Sequence, residues 1–134
     1  MQNVNDATPT PIQFNNEAFD TGAMHDNVTN NTLITFPVNG TYMAVLRTSW
    51  GNSTAGTYRI SWIRFNGTTI LASAVTAPNT TQFLTRTTTC TIFQATTSDY
   101  IEGLVQQNSG GAINLNFETG QNPYLEVIYL GPPA

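Results

Sequence analysis

The sequence contains no lysine, and charged residues make up only 9% of its 134 residues. A typical soluble domain is about 25% charged, so the surface of this protein must be built mainly from neutral side chains. All four basic residues are arginines, and they are scattered along a chain of net charge −4. Four dispersed cations cannot neutralise a track of phosphates, which argues against nucleic acid as a partner.

Cysteine and histidine each occur once, as Cys90 and His25. A single cysteine excludes an intrachain disulfide, and neither residue has the spacing of a metal-binding motif. A catalytic triad or a His–Cys dyad would have to use His25, which lies in a polar loop far in sequence from Cys90. We therefore expect Cys90 to be a small buried hydrophobe and His25 a hydrogen-bonding loop or interface residue. We expect no catalytic residue, no metal site and no other cofactor.

Eight carboxylates offer the remaining route to catalysis or cation binding. Asp99 with Glu102, and Glu118 with Glu126, are the candidate pairs for a glycosidase, but neither pair lies where the sequence predicts burial. Loop carboxylates could also bind calcium, although no EF-hand spacing is present. A role as solvated surface residues explains the candidate pairs and the loop carboxylates better than catalysis or calcium binding does. The sequence therefore predicts a protein that is not an enzyme.

Long apolar runs are also missing: none approaches the roughly 20 residues that cross a bilayer. No basic amphipathic stretch suits a membrane surface. Residues 1–6 have neither the charged nor the apolar segment of a secretory signal. We therefore expect no membrane insertion, and assembly inside a cell unless the chain is a fragment of a longer protein.

Neutral polar residues take the place of the missing charge: threonine occurs 23 times and asparagine 15 times. Threonine is β-branched and fits a pleated surface, whereas asparagine tolerates the left-handed backbone of tight turns. This composition predicts strands joined by turns that contain asparagine or glycine, with little helix.

Strand-like segments recur every 8–12 residues between glycine, asparagine or proline, as in an antiparallel sandwich or barrel. Asn39-Gly40 and Asn66-Gly67 are predicted hairpin turns. The predicted strands cover residues 32–36, 41–50, 57–65, 68–75, 84–95, 100–107, 112–117 and 124–130.

Residues 1–13 are polar and contain Pro9 and Pro11, which restrict any strand there to a short one at a sheet edge. We predict an extended N-terminal arm over residues 1–13 and one β domain over residues 14–134.

Two of the predicted strands are apolar on both faces. Residues 41–50 place Met43 and Val45 on the side opposite Tyr42, and residues 124–130 place Tyr124 and Ile128 opposite their other apolar residues. A single sandwich covers only one face of each strand. Further copies of the same chain could cover the second face.

Motifs in five places carry a family resemblance. They are Phe19-Asp20 to His25-Asp26-Asn27, Phe36-Pro37-x-x-Gly40-x-Tyr42, Arg59 and Ile63 before Asn66-Gly67, Asp99-Tyr100-Ile101 with Gln106 to Gly110, and Tyr124 to Leu130. Their order and spacing resemble the C1q and tumour-necrosis-factor superfamily, in the shorter form found in bacteriophage virion proteins. Ser98 stands where that family usually has a glycine, and a type I turn accepts serine there.

The resemblance implies an all-β, antiparallel jelly-roll sandwich that assembles as a homotrimer. By position in the family, Met43, Val45, Tyr124 and Ile128 would lie at the trimer interface. The phage members are non-enzymatic parts of the virion: tail fibres, minor tail proteins, or head fibres and decoration proteins. The implied partners are sister chains, other virion proteins and a host cell-surface glycan, and the implied location is a virion assembled in the host cytoplasm.

Trp50, Asn52 and Asn79 lie in or beside loops and are the candidate contacts for a glycan or receptor. Trp50 adjoins a glycine-containing loop, so we expect it to be more exposed than Trp62. Other roles for the same fold stay open: a bacterial surface or spore-coat module, a carbohydrate-binding domain, or a secreted signalling ligand.

Overall fold

The computed structural model describes residues 2–79, 84–117 and 120–134, and within them every regular element is a β-strand. The all-β prediction is therefore confirmed. No helix in these residues is long and apolar enough to cross a membrane. The strands are β1 (Asn3–Val4), β2 (Thr10–Pro11), β3 (Leu33–Thr35), β4 (Gly40–Trp50), β5 (Arg59–Phe65), β6 (Thr69–Thr76), β7 (Thr85–Ala95), β8 (Tyr100–Gln107), β9 (Ile113–Asn114) and β10 (Tyr124–Gly131).

Two antiparallel sheets form a β-sandwich. The three-stranded sheet has the order β10–β4–β7. In the five-stranded sheet, β8 pairs with β5 on one side and with β2 and β3 on the other, and β5 continues to β6. The short strands β1 and β9 pair separately.

Most strand boundaries agree with the sequence pattern to within two residues. The segment 112–117 is the exception, because only Ile113–Asn114 forms a strand, with Leu115 making an isolated bridge to Trp50. In the N-terminal arm the sequence allowed one short strand near Pro11 to Phe14, which β2 overlaps at Pro11, and the pattern missed β1.

One of the two predicted hairpin turns is confirmed and the other is wrong. Asn66 and Gly67 have φ values of +48° and +70°, as a tight turn between β5 and β6 requires. Asn39-Gly40 instead joins two sheets, because β3 pairs with β8 whereas β4 pairs with β7 and β10. Glycine is needed at position 40 because a Cβ atom there would collide with the Tyr129 ring.

Residues 2–13 contribute the short strands β1 and β2, and the apolar residues of this arm are part of the core. Val4 and Ile12 are fully buried and belong to the same cluster as the residues between the sheets. The Gln2 side chain links the two ends of the arm. It donates to the Pro11 carbonyl at 2.6 Å and accepts from the Gln13 N–H at 3.0 Å. Residues 2–13 therefore stabilise the sandwich directly.

The core has an apolar part and a polar part. The apolar part is filled by Ile34, Phe36, Tyr42, Ala44, Leu46, Ile63, Phe93, Ile101 and Val105, among others. In the polar part, the Thr87 hydroxyl lies 2.6 Å from that of Thr48 and donates to that of Ser61 at 2.7 Å. Since Thr87 is on β7 and Ser61 on β5, this buried hydroxyl chain joins the two sheets.

Candidate functional site

The outward side of the three-stranded sheet carries a continuous row of apolar side chains. On β4, Tyr42, Ala44 and Leu46 point into the core, so Met43 and Val45 point outward. The register with β10 places Ile128 opposite Met43. The four interface residues expected from the resemblance, Met43, Val45, Tyr124 and Ile128, all lie on this one side of two adjacent strands.

Strand β7 widens this row. Ile92 lies opposite Met43, and Cys90 lies opposite Val45. The expectation that Cys90 is buried was wrong, because its thiol is exposed. The reason is the phase of β7: Thr85, Thr87 and Thr89 face the core, and the residues between them face outward.

These residues together define what we call the apolar face: Met43, Val45, Cys90, Ile92, Tyr124 and Ile128. Ile92 is 64% exposed, Ile128 40% and Tyr124 37%. Isolated apolar residues are common on protein surfaces, but a contiguous set across three strands is typical of an interaction site.

Two charged residues sit among the apolar side chains. The Arg47 guanidinium stacks over the Tyr124 ring at 4.5 Å from its centroid, and its Nη2 donates to the Gly120 carbonyl at 3.2 Å. Glu126 lies opposite Val45 and is exposed. The described residues give it neither a hydrogen bond nor an ion pair, since their ion pairs involve other carboxylates.

The candidate glycan contacts do not form a platform around Trp50. Trp50 is fully buried, so the expectation that it is the more exposed tryptophan was wrong. The segment after β9 crosses the end of β4 and covers it, with the Gly51 N–H donating to the Asn114 carbonyl at 2.7 Å. Asn52 is exposed, and the Asn79 N–H donates to the Thr85 hydroxyl at 2.9 Å. Residues 80–82 of the loop that begins near Asn79 lie outside the described residues.

A groove of about 800 Å³ adjoins the apolar face, between residues 13–20 and β10. His25 lines it and pairs through Nδ1 with the Glu17 carboxylate at 3.0 Å, while its buried Nε2 has no hydrogen-bond partner among the described residues. This arrangement matches the expected role of His25 as a hydrogen-bonding loop residue. Phe19, on the same loop, is 78% exposed; the sequence predicted contacts from loop 15–31 without singling out this residue.

The carboxylates considered for catalysis have structural partners. Asp99 accepts hydrogen bonds from the Asn66 side chain and from Thr96. Glu102 pairs with Arg64 at 2.9 Å. Glu118 lies outside the described residues, and among those described no group of three His, Cys, Asp or Glu residues is arranged to hold a metal ion.

No protein-family model matches the chain, and no curated protein matches its sequence. The apolar face, its two charges and the strand order are therefore the observations from which a function can be inferred.

Proposed function

We propose that the chain is a homotrimeric, non-enzymatic module of a bacteriophage virion, built on a jelly roll of the C1q and tumour-necrosis-factor type. It would serve as a tail fibre, minor tail protein, head fibre or decoration protein, in particle assembly or host attachment. The observation that carries the proposal is the apolar face, which the chain's own sandwich leaves open to solvent.

The strand pairing supports the jelly-roll part of the proposal. Strand β3 pairs with β8, β4 with β7 and β5 with β6, so the pairs are nested along the chain. Nested antiparallel pairs form when one long hairpin folds over so that its strands make two sheets. Strand β8 also returns to lie beside β5, as the fourth strand of a Greek key lies beside the first, and two Greek keys make a jelly roll.

The energetics support self-association. Burying on the order of 300 Å² of apolar surface per subunit would contribute about 7 kcal/mol, at about 25 cal/mol per Å². The low charge of the chain reduces the electrostatic repulsion between copies. Covering the face with sister chains would therefore stabilise a closed homo-oligomer.

The virion part of the proposal depends on the resemblance of the sequence motifs, since a fold by itself does not fix a function. Neighbouring genes that encode portal, capsid or tail proteins would support it. Neighbours that encode collagen-like or spore-coat proteins would favour the bacterial surface module instead. Asn52 and Asn79 stay predicted glycan contacts, and a glycan array with N52A and N79A variants would test them.

The trimer is tested by sedimentation velocity at micromolar concentration. We expect the wild-type chain to sediment at three times its 14.6 kDa mass. M43D places an unpaired carboxylate on the apolar face, and burial of such a charge costs several kcal/mol. Y124D removes the ring on which Arg47 stacks and replaces its apolar surface on the face with a carboxylate. Both variants should therefore be monomeric or unfolded, as circular dichroism will distinguish.

The control is V28D, because Val28 is 84% exposed in a loop outside the apolar face. That variant should sediment like the wild type. A wild-type chain that sediments near 14.6 kDa, or normal trimers from both M43D and Y124D, would contradict the proposal.

A further inference from the structure

Glu126 places a carboxylate in the middle of the apolar face, opposite Val45. If sister chains cover the face, Glu126 loses its water. An ion removed from water without a partner costs several kcal/mol. In a trimer three such carboxylates would also approach one another and repel. The covered face therefore needs a cation close to each Glu126.

Arg47 is the cation nearest to Glu126 on that face. It lies opposite Tyr124, two residues before Glu126 on β10, which is a diagonal position on the sheet. Within its own chain the guanidinium turns to the Tyr124 ring and to the Gly120 carbonyl. The chain's own Arg47 therefore does not neutralise its Glu126.

Arg86 is the other cation on the outward side of these three strands, and it lies at one end, opposite Ser49. Ser49 is fully buried, so the sheet is already covered by the chain itself at that end. Arg86 therefore lies at the margin of the apolar face, whereas Arg47 borders its centre.

We propose that Glu126 of one subunit forms an ion pair with Arg47 of the next, which rests on the trimer proposed above. Under threefold symmetry, Glu126 of each subunit pairs with Arg47 of one neighbour, and its Arg47 pairs with Glu126 of the other. The trimer therefore contains three equivalent ion pairs. Apolar burial supplies most of the affinity. The pairs fix the register, because a neighbour displaced along the strands would leave both charges unpaired.

The decisive variant is E126Q, which removes the charge and keeps the size of an exposed side chain. If the pair exists, Glu126→Gln leaves Arg47 uncompensated, and the concentration at which half the trimer dissociates should rise about tenfold or more. If Glu126 instead lies beside the Glu126 side chains of the other subunits, E126Q removes the repulsion between these carboxylates. The concentration at which half the trimer dissociates should then fall. The direction of the change therefore decides between the two arrangements.

Charge exchange gives the second measurement. E126R and R47E should each weaken the trimer, and the double variant E126R/R47E should recover most of the loss. R86E is the matched control and should leave the dissociation midpoint unchanged. Thermal unfolding of each monomer checks that R47E still folds without its contacts to Tyr124 and Gly120.

The outcomes separate the pair from the trimer itself. A wild-type chain that is monomeric at every concentration overturns both. A wild-type trimer that E126Q leaves unchanged or tightens, or that the double variant fails to restore, overturns the ion pair and leaves the trimer standing.

Discussion

Arg59 is a cation enclosed by the sandwich, and no carboxylate in the described part of the chain forms an ion pair with it. The side chain is fully buried, and its guanidinium donates to the carbonyls of Tyr58, Ser53 and Ala55 at 2.9 to 3.3 Å. The Trp50 ring lies 5.8 Å away. Burial lowers the pKa of the Arg59 guanidinium from its ordinary value. Carbonyl dipoles thus take the place of water around the charge, and they tie residues 53–55 to the end of the core.

Arg59→Lys should destabilise the protein by about 2–3 kcal/mol, because an ammonium cannot reach three divergent carbonyls as the planar guanidinium does. Urea unfolding measures the change. Arg86→Lys is the control, since Arg86 is exposed, and should cost less than about 0.5 kcal/mol. Equal unfolding midpoints for the two variants would contradict this account of Arg59.

Individual side chains were the hardest feature to predict from the sequence. In β5, polarity favours Ile60 and Trp62 as the inward residues, yet Arg59, Ser61 and Ile63 are the buried ones. The strand takes this orientation because a hydroxyl from the opposite sheet and carbonyls from the preceding loop satisfy the polar groups inside. Thr87, the partner of Ser61, is distant in sequence, and the carbonyls near Arg59 are backbone groups, so no pattern of side chains reveals either.

The turns at one end of the sandwich are held together by Asn66 and Asp99. Asn66 donates from its side-chain amide to Asp99 at 2.7 Å and accepts from the Tyr100 N–H at 3.0 Å. Asp99 also accepts from the N–H and hydroxyl of Thr96, at 2.7 and 2.8 Å. These bonds connect the turn between β5 and β6 to the turn between β7 and β8.

The Asp99 contacts predict a loss of stability in acid. Hydrogen bonds from Asn66 and then from Thr96 hold the pKa of the Asp99 carboxyl below its ordinary value. A pKa that is lower in the folded state means that the ionised form stabilises the fold above the unfolded value, about 3.9. This contribution disappears as the pH falls through the folded value.

Asp99→Asn should therefore cost about 1 kcal/mol near pH 7, since Asp99 is partly exposed and its bonds are charge-assisted. The wild type and D99N should then converge in stability below about pH 4. Urea midpoints measured between pH 7 and pH 2.5 check this. A difference that stays constant across that range would contradict the role of the charge.

The extent and alternation of the strands could be predicted well, because Thr-rich segments between turn residues mark β-structure locally. The same alternation places Met43 on the side of β4 opposite Tyr42, but because both sides are apolar it does not decide which side faces outward. The pairing could not be predicted in the same way. Asn39-Gly40 has the composition of a hairpin, but the residues on either side of it belong to different sheets. Ile92 and Cys90 were missed as part of the face because in β7 threonine, not the apolar residue, points inward.

At the scale of the whole molecule, the exposed thiol of Cys90 reports on what covers the apolar face. It is the protein's single cysteine and lies opposite Val45. In a lone subunit the thiol is open to solvent. In the proposed trimer the neighbouring subunit would shield it.

Maleimide labelling of the native protein should therefore be slow at concentrations where the trimer persists. It should be about tenfold or more faster in folded M43D, whose trimer is lost through the buried charge. Mass spectrometry of the quenched samples measures the rates. Wild type that labels as fast as urea-unfolded protein at micromolar concentration would mean that the thiol is not covered.

Strand β10 is at the edge of its sheet, pairing with β4 on one side only. Natural sheets protect such an edge with lysine, proline or a bulge. β10 contains neither lysine nor proline, and its irregularity comes late, between Tyr129 and Gly131. In the proposed trimer, a subunit that has folded but has not yet assembled would expose this strand beside an apolar surface, with Glu126 as the charged residue of the strand. Edge-to-edge pairing into fibres would compete with assembly of the proposed trimer, so we expect the purified chain to survive dilution and warming only as long as that trimer does.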